Sequence, residues 1–394
     1  MDNFIITFDN SGLFAHHSSD LYYHNFEQKD NKIVVVNEFI KSKSKTDLYL
    51  FFLTYDSIMF EELEFPPHLV EYLNSGIIKL VINRRGEFIN GDDIIEVNRK
   101  LNDLGIKVDN IPIISMNIGK KLPNEIGFDS QLVECSWRVP YVVKDINKFY
   151  FEDLETHKKE YKFICLNGTI TPWRLLVTYE IFNRNLKKKS MMSMVNKCND
   201  SLENMNSQWE YLVDRKLNKN ELNYLKKLPI LFDKTSKQLN KEIGTINPML
   251  VDDDYILNLK KSYFSLITES DLSPFNVNSS YKITEKTYKA ISYHPFIIVG
   301  GAGILKYLRK LGFKTFPELF DESYDEIDDN YERIKFILNE VERVCNMDSK
   351  KIHNIYVSMI SKIEHNGKIL KEYNVDKIIY GIFKNINNKV EGES

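Results

Sequence analysis

A short segment in the second half of the chain combines residue types that could hold an anionic ligand. Thr284, Glu285 and Lys286 follow a polar lead-in and stand where a helix is predicted to begin. Thr284 is the predicted N-cap, because its hydroxyl can accept a hydrogen bond from an unpaired amide in the first turn. Lys286 would add a full charge to the partial positive charge of the helix start, and Glu285 could accept hydrogen bonds from a sugar hydroxyl. Together these residues could hold a nucleoside diphosphate by its ribose and its phosphates.

A glycine-rich turn follows a few residues further along the chain. The His-Pro pair at 294–295 ends the predicted helix, since proline has no amide proton and disfavours helical dihedrals in the residue before it. Residues 296–299 are a bare apolar run, typical of a parallel strand buried on both faces. The turn contains Gly300, Gly301 and Gly303, which we predict to lie beside the ligand, before the next helix begins. Such a turn is also common in α/β domains whatever they bind, so both interpretations stand.

Four other residues are candidates to contact the same ligand. Arg174 stands in the first turn of a predicted helix that follows a predicted strand. Glu269 directly follows another predicted strand and would face the same crevice, where it could contact a ribose or a sugar. Tyr281 and Lys282 belong to the polar lead-in. For Arg174 the alternative is a solvated arginine at a helix start.

The beginning of the chain offers candidates for a catalytic base. Residues 3–9 are a predicted strand that opens into a loop with His16 and His17. Ligands of α/β sheets bind at the carboxyl ends of strands, and the pKa of histidine near neutrality suits it to take a proton from a hydroxyl. We therefore name His16 and Asp9 as candidate bases. The alternative is that two adjacent histidines in a polar loop are merely solvated.

The acidic triplet Asp252, Asp253 and Asp254 resembles the carboxylate clusters that bind divalent cations. It precedes a segment that ends in lysines, so it is more typical of the acidic first turn of a helix. We therefore predict no metal site here.

Length and composition indicate two domains and a reducing compartment. The chain has 394 residues, and single cores stop growing near ~250–300 residues. The net charge of -3 is close to neutral, so the protein as a whole has no electrostatic attraction to nucleic acid. The four cysteines form no CxxC pair, which argues against disulfides and zinc. No signal sequence and no apolar run of ~20 residues is present, so we expect a cytoplasmic protein without a membrane span.

Strands and helices alternate along both halves, which indicates βαβ units and mainly parallel sheets. A charged stretch at 145–159 predicts a boundary, with domains over 1–150 and 151–394, and residues 186–250 are predicted to be a helical insertion. Predicted strands cover 3–9, 32–36, 47–54, 77–83, 110–116, 161–166, 263–268, 296–299 and 313–316. Predicted helices include 66–74, 92–104, 285–293, 304–311, 331–345, 352–363 and 370–386, and 321–329 is predicted to be an acidic loop.

Two segments resemble a known family. ITEKTYKAISYHPFIIVGGAGILKYLRKLGF and KFICLNGTITPWRLL look like the donor-binding segments of GT-B glycosyltransferases, particularly the fucosyltransferase and exostosin-like groups. A closer resemblance is to glycosyltransferase-like proteins of phages and large viruses, and it continues through residues 314–316 and 321–325. The likeness covers roughly residues 160–345.

The resemblance implies an α/β fold of two Rossmann-like domains facing across a cleft, the second with the helical insertion. It implies a glycosyltransferase that uses a nucleotide-sugar donor, with no cofactor and no obligatory metal. The acceptor would be a glycan, a protein or modified DNA. In such proteins an arginine after the strand–Asn loop meets the donor phosphate, and Arg174 stands there, although the family's His-Arg pair is replaced by Trp173-Arg174.

Two alternatives stay open. One is a viral enzyme that glycosylates hydroxylated DNA bases in the host cytoplasm. The other is a non-catalytic binding or structural protein with the same fold.

Overall fold

The chain divides into two compact units, Met1–Ser130 with Asn374–Ser394, and Gln131–Tyr373. The computed structural model describes residues 4–8, 33–35, 48–54, 67–75, 78–84, 91–107, 113–115, 125–127, 154–156, 159–168, 170–194, 202–228, 230, 258–273 and 283–372.

Unit 1 contains a six-stranded parallel sheet in the order β2-β1-β3-β4-β5-β6. Its strands are β1 (Phe4–Phe8), β2 (Ile33–Val35), β3 (Leu48–Thr54), β4 (Ile78–Arg84), β5 (Ile113–Ser115) and β6 (Glu125–Gly127). Helix α1 (Pro67–Asn74) links β3 to β4, and α2 (Gly91–Asp103) links β4 to β5. The five predicted strands are confirmed. The short β6 has too few residues to show an alternating pattern.

Unit 2 contains a four-stranded parallel sheet in the order β10-β9-β7-β8. Its strands are β7 (Phe163–Asn167), β8 (Ser190–Met194), β9 (Phe264–Thr268) and β10 (Phe296–Val299). All residues of β8, β9 and β10 are buried, as the apolar run of β10 predicts for that strand.

Two predictions for unit 2 were wrong. Residues 190–194, placed in the helical insertion, form β8, whose sequence SMMSM lacks the β-branched and aromatic residues that mark a strand. Residues 313–316 are not a strand. The backbone N–H of Lys314 donates to Asn366 Oδ1 at 2.7 Å, and Asn366 Nδ2 donates to the Lys314 carbonyl at 2.9 Å. A side chain thus supplies the hydrogen bonds that a neighbouring strand would have supplied.

The helices of unit 2 cover this sheet. They are α3 (Pro172–Asn183), α4 (Leu202–Val213), α5 (Lys219–Leu225), α6 (Glu285–Ile291), α7 (Ile304–Lys310), α8 (Asn330–Cys345) and α9 (Ser349–Glu372). Helix α6 packs on β9, β10 and α9, whereas α8 packs on β10 and α3. The segments predicted as separate helices at 352–363 and from 370 belong to the continuous α9, as far as the described residues extend. The acidic loop contains a 3-10 helix at Glu322–Glu326.

Helix α9 passes close to the end of α6 at Gly367. A Cβ on Gly367 would lie 3.2 Å from the Ser292 carbonyl oxygen, so only glycine fits there without a shift. None of the helices among the described residues combines the length and apolar composition that crossing a membrane requires.

A buried histidine joins the start of β10 to β9. His294 is fully buried, with Nδ1 2.9 Å from Ser265 Oγ and Nε2 2.9 Å from the Ser262 carbonyl oxygen. Nε2 must donate to that carbonyl, and Nδ1 accepts from the hydroxyl when the ring is neutral. Burial lowers the pKa of His294 to about 3, against the opposing effect of the bond to Ser262.

His294 makes the stability of the protein depend on pH. Its pKa is about 3 when folded and near 6.5 when unfolded, so between these values only the unfolded chain binds the proton. The free energy of unfolding should therefore fall as pH falls from 6.5 toward 3, by about 1.4 kcal/mol per pH unit from this residue. Urea titrations at pH 7, 6 and 5 measure the slope. In His294→Gln the free energy of unfolding should depend less on pH, because the unfolded variant no longer binds this proton. An unchanged pH dependence would contradict the assignment.

Candidate functional site

The unit 2 sheet has a topological switch point between β7 and β9. From β7 the chain continues to β8 on one side, and it then returns to β9 on the other side. Ligands of open parallel sheets bind outside the carboxyl ends of the strands at such a point. Arg174 follows β7 and Glu269 follows β9, so these two predicted site residues flank the switch point.

The start of α3 carries Arg174 over the end of β9. Thr171 is the N-cap, and its hydroxyl oxygen accepts from the Arg174 amide at 3.4 Å. The Trp173 indole N–H donates to the Glu269 carbonyl at 2.9 Å, which ties the helix start to the strand end. Arg174 is only 4% exposed. Its Nη2 donates to the Thr268 carbonyl at 3.2 Å and to Ser270 Oγ at 3.3 Å.

Burial lowers the pKa of the Arg174 guanidinium, and the nearby carboxylates of Glu269 and Glu285 oppose this shift. Arginine stays charged in proteins because its ordinary pKa exceeds 12. The end of β9 therefore holds a fixed positive charge just below the surface.

Glu269 holds the start of α6 in place. It is fully buried, and its carboxylate accepts from the Thr284 amide at 3.1 Å and from the Thr284 hydroxyl at 2.5 Å. The Thr287 hydroxyl donates to the same carboxylate. Its two oxygens thus have partners within the protein. A contact of Glu269 with a ribose or sugar stays a prediction, and it would require these bonds to be exchanged.

The start of α6 presents Lys286. Thr284 is its N-cap, as predicted, and its hydroxyl oxygen accepts from the Lys286 amide at 3.4 Å. Lys286 Nζ lies 3.0 Å from Thr284 Oγ1, 3.0 Å from Glu285 Oε1 and 3.5 Å from Ser270 Oγ. The Lys286 side chain is 30% exposed, which leaves it accessible from solvent.

Glu285 balances the charge of Lys286. Burial would raise the pKa of Glu285, but the charge of Lys286 and its hydrogen bond, together with Lys289, lower it below the ordinary value. Glu285 is therefore ionised at neutral pH. The carboxylate is a partner that an anionic ligand would have to replace or share.

Two cations consequently converge on one hydroxyl. Arg174 approaches Ser270 Oγ from α3, and Lys286 approaches it from α6. The sequence reasoning did not single out Ser270, because a serine after a strand carries no signal of its own. This convergence could bind an anionic oxygen at the switch point.

The glycine turn has a different environment. Gly303 is the N-cap of α7 with φ +86, a left-handed conformation that favours glycine. The amides of Leu305 and Lys306 donate to the two oxygens of the buried Asp325, each at 2.9 Å. Asp325 thus occupies the anion-binding position of this helix start.

Gly300 is fixed by packing and by a buried arginine. A Cβ added to Gly300 would lie 3.1 Å from Ile304 Cδ1. The Gly300 carbonyl accepts from Arg333 Nε at 2.9 Å. Arg333 also donates to the carbonyls of Leu272 and Ile327. Sequence reasoning missed Arg333 and Asp325, since they lie in segments predicted to be an ordinary helix and an acidic loop. Contacts of Gly300, Gly301 and Gly303 with a donor stay a prediction.

Several candidates lie outside the described residues, namely Asp9, His16, Tyr281, Lys282 and the triplet Asp252 to Asp254. Within the part of the chain that the structure describes, no group of three or more His, Cys, Asp or Glu residues is placed to hold a metal ion.

No family model and no curated protein sequence matches the chain. Similar solved structures include a crystal structure of alpha1,3-fucosyltransferase, with 11% identity and a TM-score of 0.44 over 100% of this chain and 92% of that one. The N-terminal domain of Candida albicans trehalose-6-phosphate phosphatase has 10% identity and a TM-score of 0.40, over 88% of this chain and 72% of that one. An alpha,alpha-trehalose-phosphate synthase (UDP-forming) from Burkholderia vietnamiensis has 10% identity and a TM-score of 0.27, over 97% and 73%.

A fucosyltransferase is thus among the structural neighbours, as the sequence resemblance predicts.

Removing the buried carboxylate should destabilise unit 2. Glu269→Ala leaves the Thr284 amide and the Thr284 and Thr287 hydroxyls without their acceptor, and each such buried group costs about 1–3 kcal/mol. We expect the free energy of unfolding to fall by about 3 kcal/mol in total. Urea titration followed by circular dichroism measures it. The control Glu364→Ala removes an exposed carboxylate from α9 and should cost less than about 0.5 kcal/mol, and equal losses would refute this role.

Proposed function

We propose that the chain is a glycosyltransferase that moves a sugar from a nucleotide-sugar donor to an acceptor hydroxyl. One observation carries the proposal: Arg174 and Lys286 converge on Ser270 Oγ at the switch point of a parallel sheet. A pair of cations at this position suits the phosphates of a nucleotide. The resemblance of the surrounding sequence to glycosyltransferase donor sites supports the same assignment.

The cations would act on the leaving group. Negative charge develops on the nucleoside diphosphate as its bond to the sugar breaks, and fixed positive charges that are already in place stabilise that transition state. Arg174 is held by α3 and β9, and Lys286 by the start of α6, so neither charge has to be assembled during the reaction. Glu285 would fix the ribose or the donor sugar by accepting hydroxyl hydrogen bonds.

We propose that the base comes from unit 1. The sheet order β2-β1-β3 gives that unit its own switch point, between β1 and β3. Asp9 is the residue after β1, and His16 follows in the next segment of the sequence. One of them would take the proton of the acceptor hydroxyl as the hydroxyl oxygen attacks the anomeric carbon.

We further propose that transfer needs no bound metal. Two protein cations in contact with the diphosphate would supply the neutralisation that a divalent ion supplies in metal-dependent glycosyltransferases. The acceptor would be a glycan, a protein or modified DNA. An enzyme that acts on DNA would need a basic channel beside the donor site.

Lys286→Ala should strongly weaken donor binding while the fold stays intact. Specific ligands raise the melting temperature by mass action, so thermal shift assays with UDP, GDP, ADP, CDP, TDP and their sugars identify the donor class. In wild type, a clear shift with one nucleotide is expected. In Lys286→Ala we expect at least a tenfold loss of affinity for it, because an accessible cation is removed from the phosphate site.

Lys310→Ala serves as the matched control, since it removes an exposed lysine from the last turn of α7. Its binding should equal that of wild type. Unimpaired binding and transfer by Lys286→Ala would refute the donor site. The absence of any nucleotide-dependent shift in wild type would favour a non-catalytic binding or structural protein.

Metal independence has its own test. Hydrolysis or transfer of the donor identified by thermal shift should proceed at the same rate, within about twofold, in 5 mM EDTA and in 5 mM MgCl₂, because protein cations carry the charge stabilisation. Release of the nucleoside diphosphate is measured by chromatography. A loss of activity in EDTA that manganese or magnesium restores would show a metal-dependent reaction.

A further inference from the structure

An apolar side chain is exposed at the switch point, where the centre of a parallel sheet is normally covered. Leu166 is 41% exposed, whereas the other four residues of β7 are buried. β7 is a central strand, with β8 on one side and β9 on the other. A large aliphatic side chain left open to solvent near the end of such a strand is unusual, because both faces of parallel sheets are covered.

The strand register places Leu166 on the face of the sheet that carries α6. Side chains alternate along a strand, and the Thr268 hydroxyl donates to Asn167 Oδ1, so Thr268 and Asn167 share one face. Leu166 therefore lies on the other face. The pairing of Ile164 with Ser265 continues to put Leu166 level with Ile267.

The helix that carries Lys286 lies on that same face. The Glu269 carboxylate, two residues after Ile267, bonds to Thr284 and Thr287 of the α6 segment. The end of β9 therefore turns its odd-numbered side chains toward α6. Because α6 packs on β9 and β10, one strand away from β7, Leu166 lies beside the helix start and not beneath it.

The backbone that follows Leu166 is open as well. Gly168 is exposed, and a Cβ built on it would have no heavy atom within 4 Å beyond its chain neighbours. The carboxyl end of β7 thus offers an apolar side chain and free space next to a site that carries two cations. A ligand that fits both features has an anionic part and an uncharged ring.

We infer that Leu166 is a binding residue for the nucleoside of the donor, packing against its base or ribose while Lys286 and Arg174 hold the phosphates. This inference rests on the proposed function and names a contact within the same site. Apolar contact with one face of a ring adds affinity without charge, so it should act on the nucleoside and leave the phosphates unaffected. The space at Gly168 would receive the rest of the nucleoside.

The test compares nucleoside diphosphates with inorganic pyrophosphate. Isothermal titration calorimetry with wild type, Leu166→Ser and Leu166→Met uses UDP, GDP, ADP, CDP, TDP and pyrophosphate. For the diphosphate that wild type prefers, Leu166→Ser should weaken binding about tenfold, whereas Leu166→Met should bind within about twofold of wild type. The affinity for pyrophosphate should not change in either variant. Gly168→Val adds a side chain into the open space and should weaken only the nucleoside diphosphate.

Tyr211→Ser is the control for loss of an exposed apolar group, since Tyr211 is 92% exposed on α4. It should bind like wild type. Equal weakening of pyrophosphate and nucleoside diphosphate by Leu166→Ser, or no weakening of either, would overturn the inference while the phosphate site stands. If wild type binds neither class of compound, the proposed function fails, and the inference fails with it.

Discussion

The buried carboxylate of Glu269 is the constraint on which the candidate site depends. A carboxylate without exposure to water must be hydrogen-bonded, because leaving its oxygens without partners would cost several kcal/mol. Glu269 accepts from Thr284 and Thr287, its amide donates to the Val299 carbonyl, and its own carbonyl accepts from Trp173. One residue therefore connects β9 to β10, α3 and α6. The positions of Arg174 and Lys286, which come from α3 and α6, follow from these bonds.

The site is balanced in charge before any ligand arrives. Lys286 lies against Glu285, and Arg174 interacts with the carboxylates of Glu269 and Glu285. An incoming phosphate would thus have to displace Glu285 from Lys286, because the ammonium group is already paired with that carboxylate. Such an exchange favours ligands that also gain contacts elsewhere, because breaking the Lys286–Glu285 pair reduces the net binding free energy. The exposed Leu166 would supply a contact of this kind with the nucleoside that we propose it binds.

The two helix starts of the central segment differ in a way that their sequences do not show. Both follow strands, and in both the first-turn amides need partners from outside the helix ladder. At α7 the amides of Leu305 and Lys306 are bonded to Asp325, which lies about twenty residues later in the chain. Arg333 then fixes the Gly300 carbonyl and the loop around Asp325. At α6 the cap is the local Thr284, which leaves Lys286 directed toward Ser270.

The sequence by itself determined the elements that local patterns specify. The apolar run of β10, the Thr284 cap and the start of α3 at Pro172 all follow from side-chain chemistry within a few residues. Tertiary structure alone decided which candidates meet. β8 has no strand signal and exists because it pairs with β7. Ser270, Asp325 and Arg333 gained their positions from contacts between segments distant in sequence. The orientation and solvent exposure of a charged side chain depend on such contacts, because burial is a property of the packed chain and not of any single segment.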